Sequence, residues 1–272
     1  MKTLINPPSK YSKFNFKELY EYRDLLKLLT KKNIVIKYKQ TIAGFTWALI
    51  NPVFQMIIFT FVFNKVAKIS TNEIPYPIFS FSALVPWVFF SSSLNSATTS
   101  LIGQTNLLTK VYFPRIVIPI SSILSHLIDY LISFSILIFM MFYYSYYPSF
   151  KVIIILPYLT FLIIILSIGI GSSLSAISVQ YRDVKYGIGL ITSILLYATP
   201  VAYPLSAVPD KYKFTYGLNP MVGIIDTFRN ALVNPQMISY ELLFISSVIC
   251  FFALFIGVYI FAQFEGRFAD VV

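Results

Sequence analysis

The sequence predicts an all-α integral membrane protein with six transmembrane helices. Six apolar stretches carry this prediction, because each approaches or exceeds the ~20 residues that a helix needs to cross ~30 Å of hydrocarbon. The composition agrees: 57% of the 272 residues are hydrophobic and only 12% are charged, too few to coat a soluble bundle. The predicted spans cover about residues 43–66, 77–100, 117–144, 152–179, 187–204 and 241–264.

Residues 1–40 form a cytoplasmic lead and an amphipathic helix ahead of the six-span domain, residues 41–272. Between residues 17 and 38, apolar side chains recur at helical spacing against charged ones. This pattern indicates a helix that lies in the membrane interface. It acts either as a simple membrane anchor or as a gate at the mouth of a channel.

The basic residues predict the orientation. Ten of the 21 Lys and Arg residues precede the first span, and with six spans 15 of the 21 lie on the side of the N-terminus. The positive-inside rule then places both termini in the cytoplasm of a multi-pass inner-membrane protein. The net charge of +10 is accordingly a topology signal and an attraction to anionic lipids, and it does not indicate nucleic-acid binding.

Several spans contain features of their own. Asn51-Pro52 predicts a kink or a broken start in the first span. The polar run 91–100 in the second favours either close packing or a wet cavity, and the small residues 169–173 in the fourth suit helix contact. Between spans five and six, residues 205–238 predict short re-entrant helices, because the apolar piece 221–233 is too short to span.

Catalytic and metal-binding patterns are missing from the sequence. No phosphate-binding Gly-x-x-x-x-Gly-Lys-Ser/Thr loop occurs, so the chain is not expected to bind ATP and magnesium itself. One histidine, one cysteine and scattered acids favour neither a metal site nor an enzyme. His126 and Asp129 share one face of the third span, where they form either a structural pair or a proton relay.

Six segments occur in an order that resembles one transporter family. They are 38–52 (YKQTIAGFTWALINP), 84–90 (LVPWVFF), 106–115 (NLLTKVYFPR), 181–184 (YRDV), 199–201 (TPV) and 218–221 (LNPM). Together they cover nearly the whole chain, and the ordered set is far more specific than any one segment. The chain is similar to the permease subunits of polysaccharide ABC exporters, the type 2 transporters that export O-antigen, capsule and teichoic acid.

The resemblance implies a homodimer in which spans one and five of each copy frame a channel. Two separate ATPase subunits would bind ATP and magnesium and push on a coupling helix at about residues 100–114. The cargo would be a lipid-linked polysaccharide, with O-antigen favoured, that enters from the cytoplasmic leaflet beside the amphipathic helix.

The resemblance also suggests roles for individual residues. Aromatic side chains would line the channel: Phe54, Phe59, Phe63, Tyr197 and Tyr203. Basic residues at the gate would contact the lipid pyrophosphate or only anchor the helix to lipid: Lys31, Lys32, Lys37 and Lys39. Residues at the cytoplasmic face would contact the ATPase: Asn106, Leu107, Lys110, Tyr112, Arg115, Arg182 and Asp183.

Other functions stay open at this point. A capsule or teichoic acid exporter of the same fold is the nearest alternative. An exporter of a drug or a free lipid with the same fold is another. A proton-coupled carrier using His126 and Asp129 is a further alternative, but the sequence lacks the internal repeats and the further membrane acids typical of one. For an embedded polymer-forming enzyme, the sequence lacks the paired acids that the chemistry needs.

Overall fold

The computed structural model describes residues 16–39, 46–69, 71, 74–104, 107, 112–148, 150 and 152–266. Over these ranges the chain contains helices and no strand, which confirms the predicted all-α class. Four helical stretches in the described part are long and apolar enough to cross a bilayer, and they coincide with four of the predicted spans: Tyr76–Ser100, Val117–Tyr143, Val152–Gln180 and Tyr240–Glu265.

The N-terminal helices are α1 (Phe16–Glu21) and α2 (Arg23–Lys39). Leu29 on α2 is fully buried in a small apolar cluster that includes Phe113 and Val117. Burial of an α2 side chain beside the start of the third span attaches this amphipathic helix to the bundle.

The first predicted span begins as α3 (Thr46–Phe59) and continues as a π-helical segment, Thr60–Val66. The helix is not interrupted at Pro52, where the sequence predicted a kink or a broken start. The irregular hydrogen bonding comes instead at Thr60. Such π-helical insertions are rare in ordinary helices and are frequent at functional sites.

Helix α4 (Tyr76–Ser100) is the central helix of the subunit. It contacts α3 and the third span, which consists of α5 (Val117–Ser125) and α6 (Leu127–Tyr143) separated by a single turn at His126. It also packs against α7 (Val152–Gln180). Most of its side chains are buried, which explains why its sequence shows no clear apolar stripe.

The α7 helix packs along α11 (Tyr240–Glu265) through small residues. A Cβ atom on Gly169 would collide with the backbone of Ala253, and one on Gly257 would collide with the backbone of Gly169. A Cβ atom on Gly171 would lie 2.8 Å from the side-chain methyl of Ala97 on α4. The prediction that residues 169–173 serve helix contact is confirmed, since only glycine permits so close a backbone approach.

The fifth apolar stretch is shorter than predicted. Helix α8 (Val184–Ala198) ends six residues before the predicted boundary at 204. Thr199 has extended backbone angles and precedes Pro200, and a residue before proline is disfavoured in the helical region. Fifteen residues rise ~22 Å, less than the ~30 Å of the hydrocarbon core.

The segment after α8 forms α9 (Asp210–Gly217), which is mostly exposed, and α10 (Pro220–Val233). Asn219 caps α10, its side-chain oxygen accepting a hydrogen bond from the Met221 amide at 3.1 Å, and Pro220 occupies the first turn. Helix α10 is largely buried against α4, α7 and α11. Protein contacts therefore cover this helix, which is too short to span.

Candidate functional site

A polar cluster joins α2 to the third span and to α4. The Lys37 ammonium donates a hydrogen bond to Asp129 Oδ2 and lies 3.1 Å from His126 Nδ1. The Tyr38 hydroxyl donates to Asp129 Oδ1. His126 Nε2 lies 2.7 Å from the Ser96 hydroxyl. We call these five residues the anchor cluster.

Helical spacing brings the anchor cluster together. Leu29, Asn33 and Lys37 recur every four residues and form one stripe along α2. Leu29 is buried in the apolar cluster, and the Asn33 amide donates to the Ser121 hydroxyl at 3.4 Å. Because α2 and the third span run side by side, the last residue of the stripe reaches Asp129.

The anchor cluster pairs the Lys37 ammonium with the Asp129 carboxylate. Each satisfies the charge of the other, and His126 bonds to Asp129 at 3.2 Å. These contacts favour a structural pair over a proton relay, the two interpretations that the sequence left open. Burial and the hydrogen bond to Asp129 raise the pKa of Tyr38 well above its ordinary value, so this phenol stays a donor.

The other gate lysines differ from Lys37. Lys31, Lys32 and Lys39 are exposed on α2. Lys32 borders a cleft of about 230 Å³, whose other walls are mostly polar side chains: Asn33, Ser100, Gln104 and Ser122, with Ile36 and Gly103. Among the predicted phosphate contacts, Lys32 therefore lies beside a polar cleft.

The coupling region is only partly described. Asn106 and Lys110 lie outside the described residues. Leu107 packs against the apolar cluster around Leu29. Tyr112 is instead 80% exposed, with its hydroxyl 3.4 Å from Glu18 Oε1. That carboxylate raises the pKa of Tyr112. Tyr112 thus presents a ring at the surface.

Arg115, Arg182 and Asp183 complete the predicted coupling set. Arg182 and Asp183 are exposed in the turn between α7 and α8. Arg115 instead binds the end of α11: its Nη1 donates to the Glu265 carbonyl at 2.8 Å and its amide to Glu265 Oε1 at 3.2 Å. A cation at the carbonyl end of a helix is a stabilising cap. Sequence reasoning missed Glu265, whose only signal was a lone acid at the end of the last span.

The predicted channel aromatics divide into two groups. Phe54 on α3 and Tyr197 on α8 are 59% and 61% exposed. Phe59 is buried and packs edge-to-face on Phe63 with ring centroids 5.4 Å apart. Tyr203 bonds to the Tyr216 hydroxyl and to the Tyr197 carbonyl. Phe54 and Tyr197 are available to line a path, and the other three have packing or hydrogen-bonding contacts within the subunit.

A groove lies between α3, α4 and α8, the helices equivalent to the predicted spans one, two and five. Its volume is about 380 Å³. Seven polar residues and two apolar ones line it: Gln55, Ser91, Ser92, Asn95, Ser96, Thr192 and Ser193, with Trp87 and Leu196. We call this the polar groove. The groove supports the wet-cavity interpretation of residues 91–100, which the sequence left open beside close packing.

At the opposite end of α4 a buried arginine holds the bend after α8. Arg229 is 3% exposed, and its guanidinium donates to the carbonyls of Phe79, Pro200 and Val201 at 3.3, 2.7 and 3.1 Å. Its guanidinium carbon also lies 3.7 Å from the centre of the Phe79 ring. Asp226, three residues earlier, accepts a hydrogen bond from Asn230 at 3.0 Å. Both Asp226 and Arg229 border a cavity of about 830 Å³.

Comparison with known proteins agrees with the helical architecture. A family model described as ABC-2 type transporter matches residues 24–233. The chain is 28% identical over 261 residues to the O-antigen export system permease protein RfbA of Klebsiella pneumoniae, covering 96% of this chain and 98% of the relative.

Two further relatives have related names. The O-antigen export system permease protein RfbA of Myxococcus xanthus is 27% identical, with 94% of this chain and 98% of the relative covered. The polysialic acid transport protein KpsM of Escherichia coli is 24% identical, with 72% and 76% covered. The resemblance inferred from the six ordered segments is confirmed.

Proposed function

Because the chain belongs to the ABC-2 type transporter family, we propose that it is the channel-forming permease subunit of an ATP-driven exporter of lipid-linked polysaccharide. O-antigen is the favoured cargo. The observation that carries this proposal is the similarity to O-antigen export permeases over 98% of their length. The capsule alternative remains the second candidate, favoured by the polysialic acid relative.

The proposed assembly contains two copies of this chain and two ATPase subunits in the cytoplasmic membrane. Each copy contributes six spans, with α3 and its π-helical extension as the first and α8 as the fifth, and both termini face the cytoplasm. The exposed faces of α3 and α8, which carry Phe54 and Tyr197, support a channel between the copies. Helices α9 and α10 would be the re-entrant pair at the outer exit.

ATP and magnesium would be bound only by the partner subunits. Tyr112 supports the placement of an ATPase contact at the coupling segment, because a large exposed aromatic side chain is a frequent interface anchor. Arg182 and Asp183 would belong to a second contact on the same face. Within the part of the chain that the structure describes, no group of three or more His, Cys, Asp or Glu side chains could hold a metal ion.

At the entrance, α2 would serve as the gate helix. Lys32 is the favoured contact for the lipid pyrophosphate, since it borders the polar cleft, while Lys37 is engaged with Asp129. Lys31 and Lys39 would add attraction to anionic head groups.

Inverted membrane vesicles test the proposal. Vesicles containing this chain, its ATPase and a lipid-linked glycan should translocate glycan only with hydrolysable ATP, and a proton ionophore should not stop them. Transport by this chain alone, driven by a pH gradient, would refute the proposal and favour the carrier alternative.

A further inference from the structure

We propose that the polar groove is the site where the translocating polymer is recognised, and that it selects uncharged sugar units over anionic ones. This inference rests on the proposed function and names the substrate class. It rests on the chemistry of the nine lining residues, all of them described, none of which carries a charge.

The groove offers more hydrogen-bond acceptors than donors. Ser91, Thr192 and Ser193 donate their hydroxyl protons back to carbonyls of their own helices at 3.3, 2.9 and 2.8 Å. Thr192 Oγ1 also accepts from Asn95 Nδ2 at 3.4 Å. The remaining lone pairs of the three oxygens are open to other donors. A ligand rich in hydroxyl groups can donate to them, whereas a phosphate or carboxylate cannot.

Gln55 and Asn95 strengthen the same bias. Asn95 Nδ2 donates to the Ser91 carbonyl at 2.7 Å, so the other polar atom of this side chain is the acceptor Oδ1. Gln55 Oε1 is buried and has no hydrogen-bond partner among the described residues. A buried acceptor without a donor is unfavourable, and a side-chain rotation that turned the Gln55 amide oxygen toward the groove would let a sugar hydroxyl or a water donate to it.

The size and the walls of the groove suit a hydrated sugar. About 380 Å³ lies within the ~300–1,000 Å³ typical of small-ligand pockets. Trp87 and Leu196 supply apolar walls, and an aromatic ring packs well on the C–H face of a sugar.

An anionic unit would meet the opposite conditions. It would lose part of its hydration on entering the groove and find neither a Lys nor an Arg among the nine lining residues. Most of the polar atoms that face its oxygens would be acceptors, with the Trp87 indole N–H and the Ser92 hydroxyl among the few donors. The groove therefore excludes anionic polymers by chemistry and not by width.

Export by two hosts tests this selectivity. Both hosts lack their own permease and receive this chain with its ATPase; one makes a neutral lipid-linked polysaccharide and the other makes lipid-linked polysialic acid. Surface glycan, normalised to permease in the membrane, should be at least tenfold higher for the neutral polymer. Equal export of polysialic acid would overturn the inference.

Variants locate the selectivity. Gln55→Leu combined with Asn95→Leu removes two acceptors without adding charge and should lower neutral export at least tenfold. Asn95→Ser keeps an acceptor and should stay within twofold of the unmodified chain. Gln263→Leu makes the same kind of change at an exposed position outside the groove and should export normally.

Membrane yield and size-exclusion profile confirm that each variant folds, and only folded variants are compared. If the folded double variant exports neutral glycan normally, the groove inference fails while the proposed function stands. If the unmodified chain exports neither polymer, the proposed function fails as well.

Discussion

Lys37 on α2 donates a hydrogen bond to the carboxylate of Asp129 on α6, 92 residues later in the chain. The contact links α2 to the third span. The Ser96–His126 hydrogen bond extends this link to the polar groove, which Ser96 lines. One chain of contacts thus links the amphipathic helix to the proposed path. Movement of α2 and the shape of the groove are expected to depend on each other.

Removing Lys37 should destabilise the protein more than removing a neighbouring lysine. Lys37→Ala leaves the Asp129 carboxylate without its cation, at an expected cost of about 1–3 kcal/mol. This is below the ~3–5 kcal/mol of a fully buried pair, because Lys37 is still 36% exposed. The melting temperature of the purified protein in detergent measures the loss.

Two further variants separate this pair from a general charge effect. Lys31→Ala removes an exposed lysine of the same helix and should leave the melting temperature nearly unchanged. Lys37→Met with Asp129→Leu replaces both partners with apolar groups and should recover most of the loss. Equal destabilisation by Lys31→Ala and Lys37→Ala would contradict the pair.

Gly257→Ala should separate α7 from α11. A methyl group there meets the backbone of Gly169, which cannot rotate away as a side chain can. We expect a loss of about 1–3 kcal/mol, typical of overpacking, read as a lower melting temperature. Gly187→Ala is the matched control, because a Cβ atom at Gly187 has nothing within 4 Å.

Arg229→Lys should fold poorly although the charge is kept. The guanidinium donates to three carbonyls from two segments, a geometry that a single ammonium cannot reproduce. Each buried carbonyl left unpaired costs about 1–3 kcal/mol. Membrane yield after mild solubilisation measures the effect. Arg182→Lys, in an exposed turn, should express like the unmodified chain, and equal yields would show that Arg229 has no such role.

Substitutions at Tyr112 and Arg115 should affect different properties, coupling and stability, although the residues are three positions apart. Tyr112→Ala removes an exposed ring and should leave the melting temperature unchanged, while transport-coupled ATP hydrolysis with the partner subunit falls several-fold. Arg115→Ala removes the cap on Glu265 and should lower the melting temperature. A Tyr112→Ala protein that is as well coupled as the unmodified one would argue against the coupling role.

Much of the helical bundle could be predicted because hydrophobicity is a local signal. Four long apolar runs became helices at nearly the predicted boundaries. The end of α8 was missed by six residues, since the run continues in composition through Thr199-Pro200-Val201 while proline geometry stops the helix there. The hydrogen bonding of the first span changes at Thr60 and not at Pro52. The sequence could not predict this position, because π-helical hydrogen bonding has no simple residue signature.

The candidate site was harder to predict than the bundle. The lysines of α2 were identified as a group, but their sequence neighbourhood does not distinguish Lys32, beside a cleft, from Lys37, bound to Asp129. Phe59 and Phe54 lie in the same apolar run, yet one is buried and the other exposed. Both distinctions depend on which helix lies opposite.

The sequence by itself determined the all-helical membrane class, the long apolar helices and the family, because apolar length and ordered short segments are properties of consecutive residues. Only the tertiary structure decided that Asp129 pairs with Lys37, that Arg229 holds the bend at Pro200, and that Gln55 meets Asn95 and Ser193 around one groove. These residues lie far apart along the chain, and the packing of the helices brings them together.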